Sequence, residues 1–286
     1  MAKIKCGFIG LFFISRAIPV FFSGLRDDIR KSLLLVLIIC ITYSSFSQNT
    51  DTIKKLTHFG AGISVTHNGI AFVPAFSLGK PAAIFDLSVG RRLSFDPQFR
   101  FALEGKPWAF LFSWRYKLLT KNKLRLTLGA HPSFNFRTVT STDSLTITNT
   151  FVRRYWTMDV SPHYFIGKNI SIGAYYLYSH GLDKDAIKNT QLISVNSNFS
   201  NLNLSEQFFM RITAQAYYLK QIEYDGFYLT STLVLAKKNF PLSLSSILNK
   251  AIQSDIPGSK DFIWNLILTY SLNKFFVEKS QAATKM

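Results

Sequence analysis

His131, Asp159, Ser161 and His163 are the residues of this chain whose types and spacing could do chemistry. A serine hydroxyl becomes a nucleophile when an imidazole takes its proton and a third polar group orients that imidazole. Asp159, Ser161 and His163 are two apart in succession, which places all three on one face of a strand. A hairpin pivoting near residue 144 brings Asp159 within a couple of positions of His131, with Ser133 close by. The chemistry this set points to is hydrolysis of a lipid ester. The competing reading makes the same four side chains polar filling of an interior.

A second set is charged. Asp86, Arg92, Arg115, Lys117, Arg125, Arg137, Asp159, Glu206 and Arg211 all fall on the polar side of alternating segments. Such side chains either pair off and fill a closed interior or line a wet passage whose basic excess favours anions. His58, His67 and His180 lie near segment ends and share no ligand spacing, so neither a metal nor a cofactor is expected.

The elements that must carry these residues are strands. From Leu124 to Phe136, Leu124, Leu126, Leu128, Ala130, Pro132, Phe134 and Phe136 share one face, against Arg125, Thr127, Gly129, His131, Ser133 and Asn135 on the other. The same alternation runs through Ala83–Phe95, Trp108–Leu118, Trp156–Ile166, Phe208–Tyr218 and Phe262–Leu272. In the second of these, Trp108, Phe110, Phe112, Trp114 and Tyr116 read as one apolar face. Turn signals such as His67-Asn68-Gly69, Asp96-Pro97, Gly105-Lys106-Pro107 and Asp225-Gly226 separate the segments.

Twelve strands result, over residues 56–66, 70–78, 82–95, 98–104, 107–119, 123–139, 148–166, 170–181, 190–204, 207–220, 224–238 and 260–275, with ten or fourteen also compatible. Pro74, Pro132 and Pro162 fall inside strands and mark bulges or strand ends, because proline lacks a ladder donor. Residues 241–258 read as irregular, either a strand continuation or a short helix that caps the barrel mouth.

Before these strands stands a secretion signal. Arg30 and Lys31 precede an apolar core of about a dozen residues that runs to Tyr43, and then Ser45 and Ser47 before Gln48. That core is too short for a membrane-spanning helix, which takes about 20 residues. Residues 1–47 are therefore assigned to an N-terminal extension and signal, 48–276 to a β-barrel and 277–286 to a polar tail. The apolar stretch from Gly7 to Phe22 implies either a start further along, near residues 25–30, or an inner-membrane anchor.

Both cysteines, Cys6 and Cys40, precede Gln48, so a processed chain has no disulfide and no thiolate chemistry. The formal charge of +17 falls to +13 without residues 1–47. Its lysines and arginines are scattered through strands and turns rather than gathered in a stripe, which argues against nucleic acid. Small anionic solutes and the anionic groups of outer-membrane lipid suit it better. Aromatic residues make up 15% of the chain and occur in nearly every segment. Faces as bulky as Phe110-Phe112-Trp114-Tyr116 would overcrowd a small barrel interior but fit against lipid.

The segments Phe46–Gln48, Phe76–Ala83, Phe99–Trp108, Tyr176–Gly181 and Ile256–Asp261 carry a resemblance covering residues 48–276. The chain resembles an uncharacterised group of outer-membrane β-barrel proteins of Bacteroidetes-type bacteria. That resemblance implies an all-β, antiparallel transmembrane barrel in a Gram-negative outer membrane, inserted by the barrel-assembly machinery through a terminal aromatic, here Phe275-Phe276. It implies no activity. The expected role is structural or that of a narrow, porin-like passive channel with a basic interior. The alternatives are a lipid-acting hydrolase and a secreted soluble β-rich binding protein.

Overall fold

The computed structural model describes residues 56–141 and 147–277. The signal segment, both cysteines and the tail beyond Val277 lie outside the described residues. Twelve antiparallel strands close into a barrel in which each strand pairs with its sequence neighbours and β1 pairs with β12. They are β1 (Leu56–Thr66), β2 (Ala82–Gly90), β3 (Leu93–Ala102), β4 (Pro107–Thr120), β5 (Leu124–Ser141) and β6 (Ile147–Phe165). The series continues with β7 (Ile170–Gly181), β8 (Asn189–Asn203), β9 (Phe208–Gln221), β10 (Tyr224–Lys237), β11 (Leu242–Ser254) and β12 (Phe262–Val277). Closure leaves no open sheet edge, so every strand finds ladder partners on both sides.

The register is continuous over most of the wall, with shifts in β3–β4, β4–β5, β8–β9 and β10–β11. Asp86 stands opposite Gly62, Gln98 opposite Asp86 and Leu111 opposite Gln98, which keeps these positions together on the inner face. The outer face is apolar and open: Ile63, Leu229 and Leu268 each keep about half their surface exposed (50%, 50% and 51%). A continuous exposed apolar band on a closed barrel is a surface for hydrocarbon, not water. Tyr116 and Tyr164 stand outward toward one end, and Tyr178, Phe227 and Trp264 toward the other, as interfacial aromatic girdles do.

The two ends differ. Short turns join β2–β3, β4–β5, β6–β7, β8–β9 and β10–β11 beside β1's start and β12's end. The opposite end carries longer connections, notably 67–81, 182–188 and 255–261. The strands β5 and β6, of 18 and 19 residues, exceed the 9–11 or so that cross a bilayer.

Twelve strands are found, but three stretches differ from expectation. Residues 70–78 are not a strand: they form a loop with a single helical turn, Pro74–Phe76, that folds into the barrel. Residues 242–254 are a full strand, β11, and not a cap. Its inner face (Ser243, Ser245, Ile247, Asn249) mixes small polar and apolar groups, which hid the alternation. The expected segments 82–95 and 98–104 divide instead at Arg91-Arg92, with Asp96-Pro97 inside β3.

Pro97, Pro132 and Pro162 all sit at outward positions, and pairing is interrupted beside Pro132 and Pro162, where no N–H can be given. A further irregularity between Arg100 and Phe101 inserts one extra residue in β4 and turns Trp108 inward, where it is 2% exposed. Trp108 therefore does not belong to the apolar outer face.

Candidate functional site

The interior is built in three levels. Nearest the short turns, Arg115, Arg125 and Arg211 converge with Asp159, Ser161 and His163 around a cavity of about 610 Å³. Arg115 comes from β4, Arg125 from β5 and Arg211 from β9, so three separate strands supply the positive charge. Arg115 reaches Asp96 at 3.8 Å, and Asp96 is fixed by the hydroxyls of Ser88 (2.6 Å) and Ser94 (3.0 Å). Arg125 lies over the Phe165 ring at 5.0 Å and Arg211 lies 5.9 Å from Phe209. These stacking partners hold the guanidinium groups without neutralising them.

Above this lies a chamber of about 330 Å³ with largely apolar walls, into which Arg100, His131, Asn135 and Thr230 also open. Arg100 had no place among the charged residues expected from sequence, because Asp96-Pro97 reads as a turn that breaks the alternation just before it. Its Nε donates to Gln98 Oε1 at 2.5 Å, its guanidinium lies 5.0 Å from the Trp108 ring centre, and the Gln98 amide donates to Asp86.

The third level is the folded-in loop 67–81. Val73 packs with Leu192, Tyr217, Leu219, Tyr228, Ala251 and Ile256, while Phe76 meets Tyr155 edge-on at 4.9 Å and Phe72 meets Tyr217 at 5.7 Å. The Trp108 indole donates to the Phe76 carbonyl at 2.8 Å, and Ser77 Oγ accepts from the Ala71 N–H at 2.9 Å. Gly69 N–H to Lys80 carbonyl, 2.8 Å, closes the loop's neck. Outside it, Lys80, Glu104, Lys106 and Arg137 border an open cavity of about 650 Å³.

The remaining expected residues divide by position. Asp86 and Asp159 are inward and Lys117 is inward beside the β4 bulge, near the short-turn rim. Arg92 does not line the interior. It sits in the β2–β3 turn, where Nε and an Nη donate to the carbonyls of Lys117 and Leu118 (both 3.1 Å) and the guanidinium caps the Tyr116 ring. The strand ends at Gly90, so alternation does not extend to it. Glu206 is likewise exposed in the β8–β9 turn.

The hydrolytic set comes together only in part. The β5–β6 hairpin pivots as expected, with His131 opposite Thr157 and Asp159 opposite Gly129. Ser161 Oγ and His163 Nδ1 are 3.3 Å apart. Among the described residues no carboxylate hydrogen-bonds His163, and His131 makes no hydrogen bond to Asp159. The pair also faces the interior, away from the apolar outer face.

No protein-family model matches the chain, and no curated protein matches it. Among solved structures it is similar to the KdgM porin in complex with disordered oligogalacturonate, at 8% identity over 75% of this chain and 99% of that one (TM-score 0.44). It is also similar to an outer-membrane channel from Pseudomonas putida F1 (10% identity, 80% and 100% covered, TM-score 0.45). A third is LpxR from Salmonella typhimurium (12% identity, 74% and 99% covered, TM-score 0.41). These are likenesses of barrel architecture alone.

Proposed function

We propose that this chain is an integral outer-membrane barrel of a Gram-negative bacterium that acts as a narrow, passive channel for small anions. The exposed apolar band and the closed sheet support the membrane setting, because hydrocarbon solvates the first and forbids an open edge. The observation that carries the channel reading is the convergence of Arg115, Arg125 and Arg211 from three strands on one cavity at the short-turn mouth. Cationic side chains around a low-dielectric passage concentrate anions and repel cations. The loop 67–81 narrows the opposite end. Outer-membrane lipid is the expected surrounding partner, and the barrel-assembly machinery the expected inserting one, with Phe275-Phe276 in the last strand. Membership of the Bacteroidetes-type group is part of the same proposal, supported by the motifs from Phe76 to Asp261.

Reconstitution of the full chain into planar bilayers tests this. Discrete anion-preferring current steps are expected, and replacing Arg115, Arg125 and Arg211 together by Gln lowers the anion-over-cation permeability ratio several-fold. Steps that prefer cations, or a ratio unmoved by the triple replacement, would overturn the proposal.

A further inference from the structure

The middle chamber is chemically unlike the basic cavity beside it. Its walls come from Phe72, Val73, Phe76, Leu111, Leu177 and Leu192, and such surface is best covered by an apolar body. At about 30 Å³ per molecule of liquid water, its 330 Å³ matches a solute of about ten non-hydrogen atoms. A passage meant only for hydrated ions has no need of such walls.

Two polar features face each other across it. On β3, Arg100 spends Nε on Gln98, and its guanidinium carbon lies over the Trp108 ring. Among the described residues its terminal Nη groups donate no hydrogen bond, and Asp86 is engaged by the Gln98 amide instead of by Arg100. An arginine held this way presents a planar fork suited to a carboxylate. On β10, five strand steps round the barrel, Thr230 is 5% exposed and its Oγ1 has no hydrogen-bond partner. A buried hydroxyl left unpaired is costly, and a ligand group that pairs with it recovers that cost. Phe76 and Tyr175 also line the chamber and supply its aromatic surface.

We infer that this chamber is a binding site for a small aromatic carboxylate carrying a hydrogen-bonding group at its far end. Arg100 takes the carboxylate, Phe76 and Tyr175 cover the ring, and Thr230 pairs with the distal group. The site deepens the channel reading by naming the solute class, and rests on it for the ligand's route of entry.

The probe is para-hydroxyphenylacetate, titrated by calorimetry into the full chain folded in detergent. Phenylacetate, which lacks the distal hydroxyl, and tyrosol, which lacks the charge, serve as comparators. Saturable binding of the probe is expected, with tyrosol weaker by about tenfold or more, the usual worth of a charge-assisted hydrogen bond. Arg100→Gln abolishes the advantage of the acid over tyrosol. Thr230→Val, a change of one hydroxyl to methyl, abolishes its advantage over phenylacetate while leaving binding of phenylacetate itself. Tyrosol binding as tightly as the acid, or no saturable binding by a barrel whose heat-modifiable gel mobility shows it folded, would falsify the inference. The two readings fail separately. Binding without conductance keeps the site and removes the channel, whereas anion conductance without carboxylate-dependent binding keeps the channel and removes the site.

Discussion

Asp183 and Asp185 show how single contacts order the loop end of this barrel. Asp183 accepts from the Arg154 guanidinium at 2.6 Å and from the Arg154 backbone N–H at 2.7 Å, and Asp185 accepts from Arg153 Nε at 2.7 Å. The hydrogen bonds from Arg154 hold the Asp183 carboxyl below the usual carboxylate range, and that from Arg153 does the same for Asp185. A carboxylate depressed in the folded loop adds order above its unfolded value and loses it as the pH falls through the folded one. Amide-exchange protection of residues 182–188 is therefore expected to persist from neutral pH down through the ordinary carboxylate range, near pH 4, and to fade below it. Asp183→Asn should remove much of that protection at neutral pH; unchanged protection would show that the pair does not order the loop. These partners were not legible in the sequence, because Arg154 lies within β6 and Asp183 in the β7–β8 loop, 29 residues further on. Gly129 was equally opaque. It reads as one more polar-face residue, yet the Asp159 carboxylate occupies the space a side chain at Gly129 would need.

Among the elements, the β1–β2 loop stands out because it folds into the barrel. Residues 70–78 contain enough apolar side chains to imitate a strand, but Pro74 cannot donate to a ladder and the Gly69–Lys80 closure turns the segment inward. Trp108→Phe keeps the ring beneath Arg100 and deletes the hydrogen bond to the Phe76 carbonyl. In single-channel records this variant should spend more time in larger-conductance states, and an unchanged distribution would mean the loop is held by packing alone. The β2–β3 turn makes a second demand. Gly90 has φ +145°, a conformation essentially closed to other residues, and a side chain there would strike the Leu93–Ser94 backbone. Gly90→Ala should cost about 1–3 kcal/mol in urea-unfolding titrations in lipid vesicles. A midpoint equal to wild type would show that the turn relaxes freely.

For the molecule as a whole, the decisive division is between hydrocarbon outside and polar groups within. Leu268 lies on the outer face near the middle of β12. Leu268→Arg should destabilise the barrel by about 2–4 kcal/mol in the same vesicle titration. A cost near zero would mean that this face does not meet lipid. The alternation of Leu124–Phe136, Phe208–Tyr218 and Phe262–Leu272 already carried the all-β class and the sorting of side chains into two faces, because a strand's geometry obliges that sorting residue by residue. It could not reveal events that depend on distant partners. The inward turn of Trp108 follows from an extra residue opposite β3. The strand character of 242–254 follows from β10 and β12 lying on either side. The loop 67–81 enters the barrel because Tyr155, Tyr217 and Tyr228, far along the chain, make an apolar seat for Phe72, Val73 and Phe76. Local pattern dictates which way neighbouring side chains point; closing the barrel chooses which remote ones meet.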